Sequence, residues 1–126
     1  MNQCGAHIEG HGTHVIKIQG VEELSGCEYE VISDRIEAGT YLVAGAITRG
    51  NIEVRNAPVY AMDGILSKLQ EMGVDITINE DRLILDAKDP INCVDIITQP
   101  YPGFPTDMQA QFMALMCTAK GSGVIK

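Results

Sequence analysis

The sequence predicts an α/β (α+β) domain built from a repeated unit, on three observations. Short β-type runs alternate with helix-type runs along the whole 126 residues. One helix-type run, residues 37–48, has almost no polar side, the mark of a helix enclosed by other protein. Two stretches also recur: Gly5-Ala6-His7-Ile8 and Gly73-Val74-Asp75-Ile76 lie 68 positions apart, and Arg49-Gly50 and Lys120-Gly121, each closing a helical run, lie 71 apart.

Taken in order, residues 6–9 and 14–19 read as two strands of a hairpin whose turn holds Gly10 and Gly12. Residues 21–26 are a turn region, and 27–32 a strand with Tyr29 and Val31 on one face. Ser33 or Asp34 then caps the apolar helix, Glu37 making a loose capping box. Gly39 and Gly45 inside it cost about 1 kcal/mol each relative to alanine, and they allow close backbone approach. Arg49 and Gly50 close it with a cation and a C′ glycine. Residues 52–56 alternate as a strand, Ile52 and Val54 inward, before Pro58. Residues 62–72 are a helix of another kind, with Met62, Ile65, Leu66, Leu69 and Met72 on one side and Asp63, Lys68, Gln70 and Glu71 on the other. Gly73 ends it. Residues 74–78 and 82–86 pair around Asn79-Glu80-Asp81, 93–98 form a strand, 108–119 a helix, and Val124-Ile125 start another strand.

The order strand, buried helix, strand, amphipathic helix, hairpin thus occurs once in full. The chain divides into the end of one unit (1–26), a complete unit (27–92) and the start of a third (93–126). One unit cannot bury its own apolar helix, so neighbours share a core. The chain is therefore expected to be cut from a longer one, to expose apolar edges and to self-associate when alone.

Composition narrows the function. Apolar content of 45% and charged content of 21% are globular, while a net charge of −8 with nine Lys plus Arg argues against a nucleic-acid surface or a polybasic membrane contact. No apolar run approaches the roughly 18 residues of a membrane span, and no signal peptide is evident, so the protein reads as cytoplasmic. None of the four cysteines forms a CxxC pair, and Cys93 and Cys117 fall in apolar runs. Buried free thiols in a reducing compartment are the expectation. His7, His11 and His14 crowd one end, but Gly10 and Gly12 break any helix that would align them. Neither a metal site nor a cofactor is expected.

The candidate chemistry lies in QPYPGFPTDMQAQF, residues 99–112. Pro100, Pro102 and Pro105 exclude strand and helix until Thr106 and leave a rigid loop. Thr106 or Asp107 can then cap the helix that follows. A carboxylate delivered to a helix start suits either a cap or a functional acid, and both readings stand at this point. The proline-rich turn has no counterpart in the earlier copy, which carries Ser33-Asp34-Arg35 instead.

Together, PYPGFPTDMQAQF and SDRIEAGTYLVAGAITRG resemble the enolpyruvyl transferases that act on UDP-N-acetylglucosamine, and the likeness runs over nearly the whole chain. It implies βαβαββ units arranged as an inside-out barrel, helices within and sheets outside, with this chain an incomplete domain. It further implies transfer of the enolpyruvyl group of phosphoenolpyruvate to the 3′-hydroxyl of UDP-N-acetylglucosamine in peptidoglycan synthesis, with release of phosphate. By position in the motif, Asp107 matches the acid that takes the hydroxyl proton and Thr106 a neighbour that contacts the sugar nucleotide. Arg35 matches part of a charged turn with Asp34 and Glu37, where it either positions substrate or makes a structural ion pair. The lysine, arginines and reactive cysteine loop of that family have no match here, so the chain alone is expected to be inactive. The rival class is a non-catalytic scaffold or interaction module of the same fold.

Overall fold

Two glycines set the start of two hairpins. In the computed structural model, which describes residues 1–126, Gly5 and Gly73 adopt φ of 94° and 93°, a region that only glycine enters without strain. Each follows a helical turn and reverses the chain into an antiparallel pair. The first pair joins β1 (His7–Glu9) to β2 (Lys17–Gln19) with Ile8 opposite Ile18. It belongs to a compact unit, Met1–Val31, opened by a 3-10 turn at Asn2–Cys4.

The second unit, Ile32–Lys126, holds the remaining elements. Helix α1 (Arg35–Ile47) begins at Asp34, whose carboxylate accepts from the Ile36 and Glu37 amides at 2.7 and 3.4 Å. Its end departs from expectation. Arg49, not Gly50, is the C′ residue, at φ 55°, and the amides of Arg49 and Gly50 donate to the carbonyls of Ala46 and Gly45. The Arg49 guanidinium then donates to the Asp89 and Thr118 carbonyls at 2.8 and 3.2 Å. Those two charge-assisted bonds offset the left-handed strain on a non-glycine residue.

Strand β3 (Asn51–Val54) follows, then a 3-10 turn at Val59–Ala61 and helix α2 (Asp63–Glu71). The apolar face read from its spacing is the buried one: Met62, Ile65, Leu66, Leu69 and Met72 are all at most 3% exposed. Strands β4 (Asp75–Asn79) and β5 (Arg82–Asp86) form the second hairpin across Glu80-Asp81. The sheet order is β3-β5-β4, all antiparallel, with β5 central. Leu83 and Leu85 point inward from β5 and are fully buried. Helix α1 packs on β3 and β5, and Gly45 permits the approach: a Cβ there would stand 2.9 Å from Ile52 Cδ1. Helix α3 (Gln109–Met116) packs on α1 in turn.

Five expectations need correction. Residues 27–32 form no strand, because no other segment pairs with their backbone and Tyr29, Val31 and Ile32 lie 66–81% exposed. Residues 93–98 make only isolated parallel bridges, including Ile96 with Ile125, rather than a continuous ladder. Helix α3 stops at Met116, three residues early, where the carbonyls of Leu115 and Met116 turn to the amides of Thr118 and Ala119. Finally, α1 and α3 are not enclosed on all sides: Tyr41 is 60% and Met113 53% exposed. The thiols likewise are not buried, with Cys27 and Cys117 exposed and Cys4 and Cys93 half-buried.

Candidate functional site

The proline loop is held from both ends and from beneath. Gly103 donates its amide to the Pro100 carbonyl at 2.9 Å, and Gln99 donates to the Phe104 carbonyl at 2.9 Å. The Tyr101–Pro102 peptide is cis. Gly64, in the first turn of α2, lies under the loop so closely that a Cβ there would come within 3.0 Å of the Gly103 carbonyl oxygen. Phe104 and Pro105 then turn into the core, where the Phe104 ring meets Phe112 edge-on, centroids 4.9 Å apart. Such a pair contributes about 0.5–1.5 kcal/mol beyond its buried area.

This anchoring decides where the acid goes. Phe104, Pro105, Met108 and Phe112 are buried, so the intervening Thr106 and Asp107 face outward from the 3-10 turn Thr106–Met108 that leads into α3. Neither caps a helix. The turn and α3 both lack a side-chain cap, and the Asp107 carboxylate has no hydrogen-bond or ion-pair partner in the chain. That removes the capping reading. Met108 meanwhile reaches α1, where its Cε would stand 3.0 Å from a Cβ on Gly39. The Gln111 amide adds a bond to Thr40 Oγ1 at 3.0 Å. The start of α3 is thereby fixed against the start of α1.

What this fixes is a cleft of about 290 Å³ lined by Arg35, Thr98, Gln99, Pro100, Tyr101, Pro105, Thr106 and Asp107. All three residues singled out from the sequence line it. Arg35 makes no ion pair, contrary to the structural alternative; its guanidinium carbon lies 5.0 Å from the centroid of the Tyr101 ring. The charged turn is also split. Asp34 caps α1, and Glu37 faces a separate groove bounded by Tyr41 and residues 54–58, leaving Arg35 alone toward the proline loop. Tyr101 is the contributor that sequence reading missed, although an aromatic residue between two prolines was a usable signal. The cleft therefore offers one fixed cation, one unpartnered carboxylate and a neighbouring hydroxyl. That set can hold an anionic or polyhydroxy ligand and accept a proton from it.

The family model described as EPSP synthase (3-phosphoshikimate 1-carboxyvinyltransferase) matches residues 1–126. The chain is 52% identical over 123 residues to the UDP-N-acetylglucosamine 1-carboxyvinyltransferase of Oleidesulfovibrio alaskensis, covering 98% of this chain and 30% of that protein. It is 53% identical over 125 residues to the UDP-N-acetylglucosamine 1-carboxyvinyltransferase 1 of Staphylococcus epidermidis, covering 99% and 30%. The protein of the same name from Desulfofundulus thermocisternus is 50% identical over 126 residues, covering 99% and 52%. Among solved structures, the enolpyruvyl transferase NikO from Streptomyces tendae superposes with a TM-score of 0.76 at 22% identity, over 98% of this chain and 31% of that one. The chain thus spans from under a third to about half the length of these relatives.

Proposed function

The chain belongs to the EPSP synthase (3-phosphoshikimate 1-carboxyvinyltransferase) family, and from that membership we propose that it is part of an enolpyruvyl transferase acting on UDP-N-acetylglucosamine. The choice of acceptor rests on the relatives that share about half of its residues, all carrying that activity in their names. The reaction joins the enolpyruvyl group of phosphoenolpyruvate to the 3′-hydroxyl of the sugar nucleotide and releases phosphate, an early step of peptidoglycan synthesis. An alcohol is a poor nucleophile near neutral pH, so a placed base must take its proton as the C–O bond forms. Asp107 is that base. Thr106 contacts the sugar nucleotide beside it, and Arg35 holds an anionic part of the substrate.

The observation that carries this reading is Asp107, unpartnered at the rim of a cleft that also holds Arg35. A carboxylate with no internal bond to make is free to serve a ligand. One cation cannot bind both phosphoenolpyruvate and a diphosphate, so the remaining phosphate contacts come from chain beyond these residues. The same reading takes residues 27–92 as a complete βαβαββ unit of an inside-out barrel whose first strand, 27–32, is unpaired in this chain and takes its partner from beyond it, with 1–26 and 93–126 belonging to its neighbours. It also puts the protein in the cytoplasm, where the four unbridged cysteines fit a reducing medium.

The test is Asp107→Asn in the full-length enzyme carrying this segment. The amide keeps size and hydrogen bonding but accepts no proton, so kcat should fall about 10²- to 10⁴-fold with little change in KM for phosphoenolpyruvate. A kcat within a few-fold of the unaltered enzyme would remove Asp107 from the chemistry. The 126-residue chain by itself should release no phosphate from the two substrates.

A further inference from the structure

Cys4 and Cys27 are 23 positions apart, yet their sulfurs lie 2.9 Å from one another. The backbone around them explains the approach. The Ser25 amide donates to the Cys4 carbonyl at 2.8 Å and the Ser25 hydroxyl to the same oxygen at 3.2 Å. Cys4 itself ends the turn Asn2–Cys4, which is tied to β1 because the Asn2 side chain both donates to the Ile8 carbonyl (2.8 Å) and accepts from the Ile8 amide (3.0 Å). The two ends of the hairpin unit are therefore held side by side independently of the sulfurs. Cys27 is open to solvent and Cys4 half-buried. The other thiols differ: Cys93 faces the Met116 carbonyl at 3.5 Å, and neither it nor Cys117 meets another sulfur.

We propose that Cys4 and Cys27 form a reversible oxidation site, a vicinal dithiol that a peroxide converts to a disulfide. In the first step one thiolate attacks the peroxide O–O bond, becoming a sulfenic acid and releasing water or hydroxide. The second sulfur then attacks the sulfenic sulfur and expels water. Overall, two thiols and one hydrogen peroxide give one disulfide and two waters, the two electrons passing from sulfur to oxygen. A small dithiol reverses the change by thiol exchange. The hydrogen bond with Cys4 raises the Cys27 thiol above its ordinary pKa. Oxidation closes the chain between residues 4 and 27, pinning the segment after β2 to the turn before β1.

The experiment treats the protein with equimolar hydrogen peroxide, blocks remaining thiols with iodoacetamide, and maps tryptic peptides by mass spectrometry. Cleavage after Lys17 and Arg35 separates Cys4 from Cys27. The expected product is peptide 1–17 linked to peptide 18–35, lighter than the two reduced peptides by two hydrogen atoms, with Cys93 and Cys117 alkylated. Dithiothreitol should restore all four alkylatable thiols. Alkylation of both Cys4 and Cys27 after peroxide, or linkage of either to Cys93 or Cys117 as often as to each other, would overturn the proposal. In Cys27→Ser, peroxide should leave Cys4 as a sulfenic acid that dimedone traps. Absence of that adduct, with Cys4 still alkylated, would count against the site as well.

Discussion

Arg35 occupies the first position of α1, where the helix dipole presents partial positive charge and a cation is disfavoured by about 0.3–1 kcal/mol. Asp34 is committed to the cap and supplies no counter-charge, so the guanidinium rests instead on the Tyr101 ring. A cation kept at that place against the local field, beside an unpartnered Asp107, is suited to meet an anion from outside. A cation–π contact at an exposed site contributes about 0.5–1 kcal/mol. In the full-length protein Tyr101→Leu should therefore raise KM for the substrate that the proposed function assigns to Arg35 about two- to five-fold and leave kcat unchanged. A fall in kcat at constant KM would show that Tyr101 does more than orient Arg35. A second residue-level effect concerns acid stability. Lys88 Nζ donates to Asp86 at 2.7 Å, and this bond, assisted by Asn51, holds the Asp86 carboxyl below its ordinary 3.8. A depressed folded pKa contributes stability above pH 3.8 that is lost as pH falls through the lower, folded value. Lys88→Met should lower the urea midpoint at neutral pH by a small amount, this being a surface pair, and the gap should close once the pH falls below the depressed folded pKa of Asp86. A gap that persists in acid would assign the loss to packing rather than charge.

At the scale of elements, the helices were legible because their signals are local. The five apolar residues of α2 recur at 3.6-residue spacing, and that periodicity survives in the structure as the buried face. The cap at Asp34 and both hairpins follow from chemistry within a few residues. Strand character in 27–32 did not survive, since a strand exists only through a partner and none here pairs with it. The outward aim of Asp107 was equally out of reach: it follows from Phe104 and Phe112 meeting edge-on and from Met108 reaching Gly39, contacts set by three separate elements. Gly45 makes the same point about close approach. Its replacement by alanine gains about 1 kcal/mol of helix propensity, but the new methyl would stand 2.9 Å from Ile52 Cδ1 and 3.2 Å from Leu85 Cδ2. Overpacking of that kind costs about 1–3 kcal/mol, so Gly45→Ala should lower the unfolding midpoint. Adding Ile52→Val removes the nearest obstructing atom, Cδ1, while Cγ1 at 3.0 Å stays, so the double variant should be more stable than the two single changes sum to without full relief. Strict additivity would mean the helix shifts instead of clashing.

Across the whole chain the balance is between exposed apolar side chains and charge. Within Met1–Val31, Ile18 is 71% and Val31 81% exposed, and within Ile32–Lys126 the open strips of α1 and α3 carry Tyr41 and Met113 at 60% and 53%. Apolar surface of this kind favours association, each fully buried large side chain contributing about 1.5–3 kcal/mol. The net charge of −8 opposes it, because two copies repel through a screening length of about 10 Å at 0.1 M salt. Raising the salt shortens that length to about 3 Å at 1 M and leaves the apolar contribution in place. Sedimentation of the 126-residue chain should therefore show a weight-average mass that climbs with protein concentration, and climbs more steeply in high salt. Tyr41→Glu with Met113→Glu places two like charges on the open strips and should flatten that dependence. If the unaltered chain stays monomeric at high concentration in 1 M salt, the exposed side chains are too dispersed to make a surface and the expectation of self-association fails. If association persists in the double variant, the hairpin unit with Ile18 and Val31, rather than α1 and α3, is where copies meet.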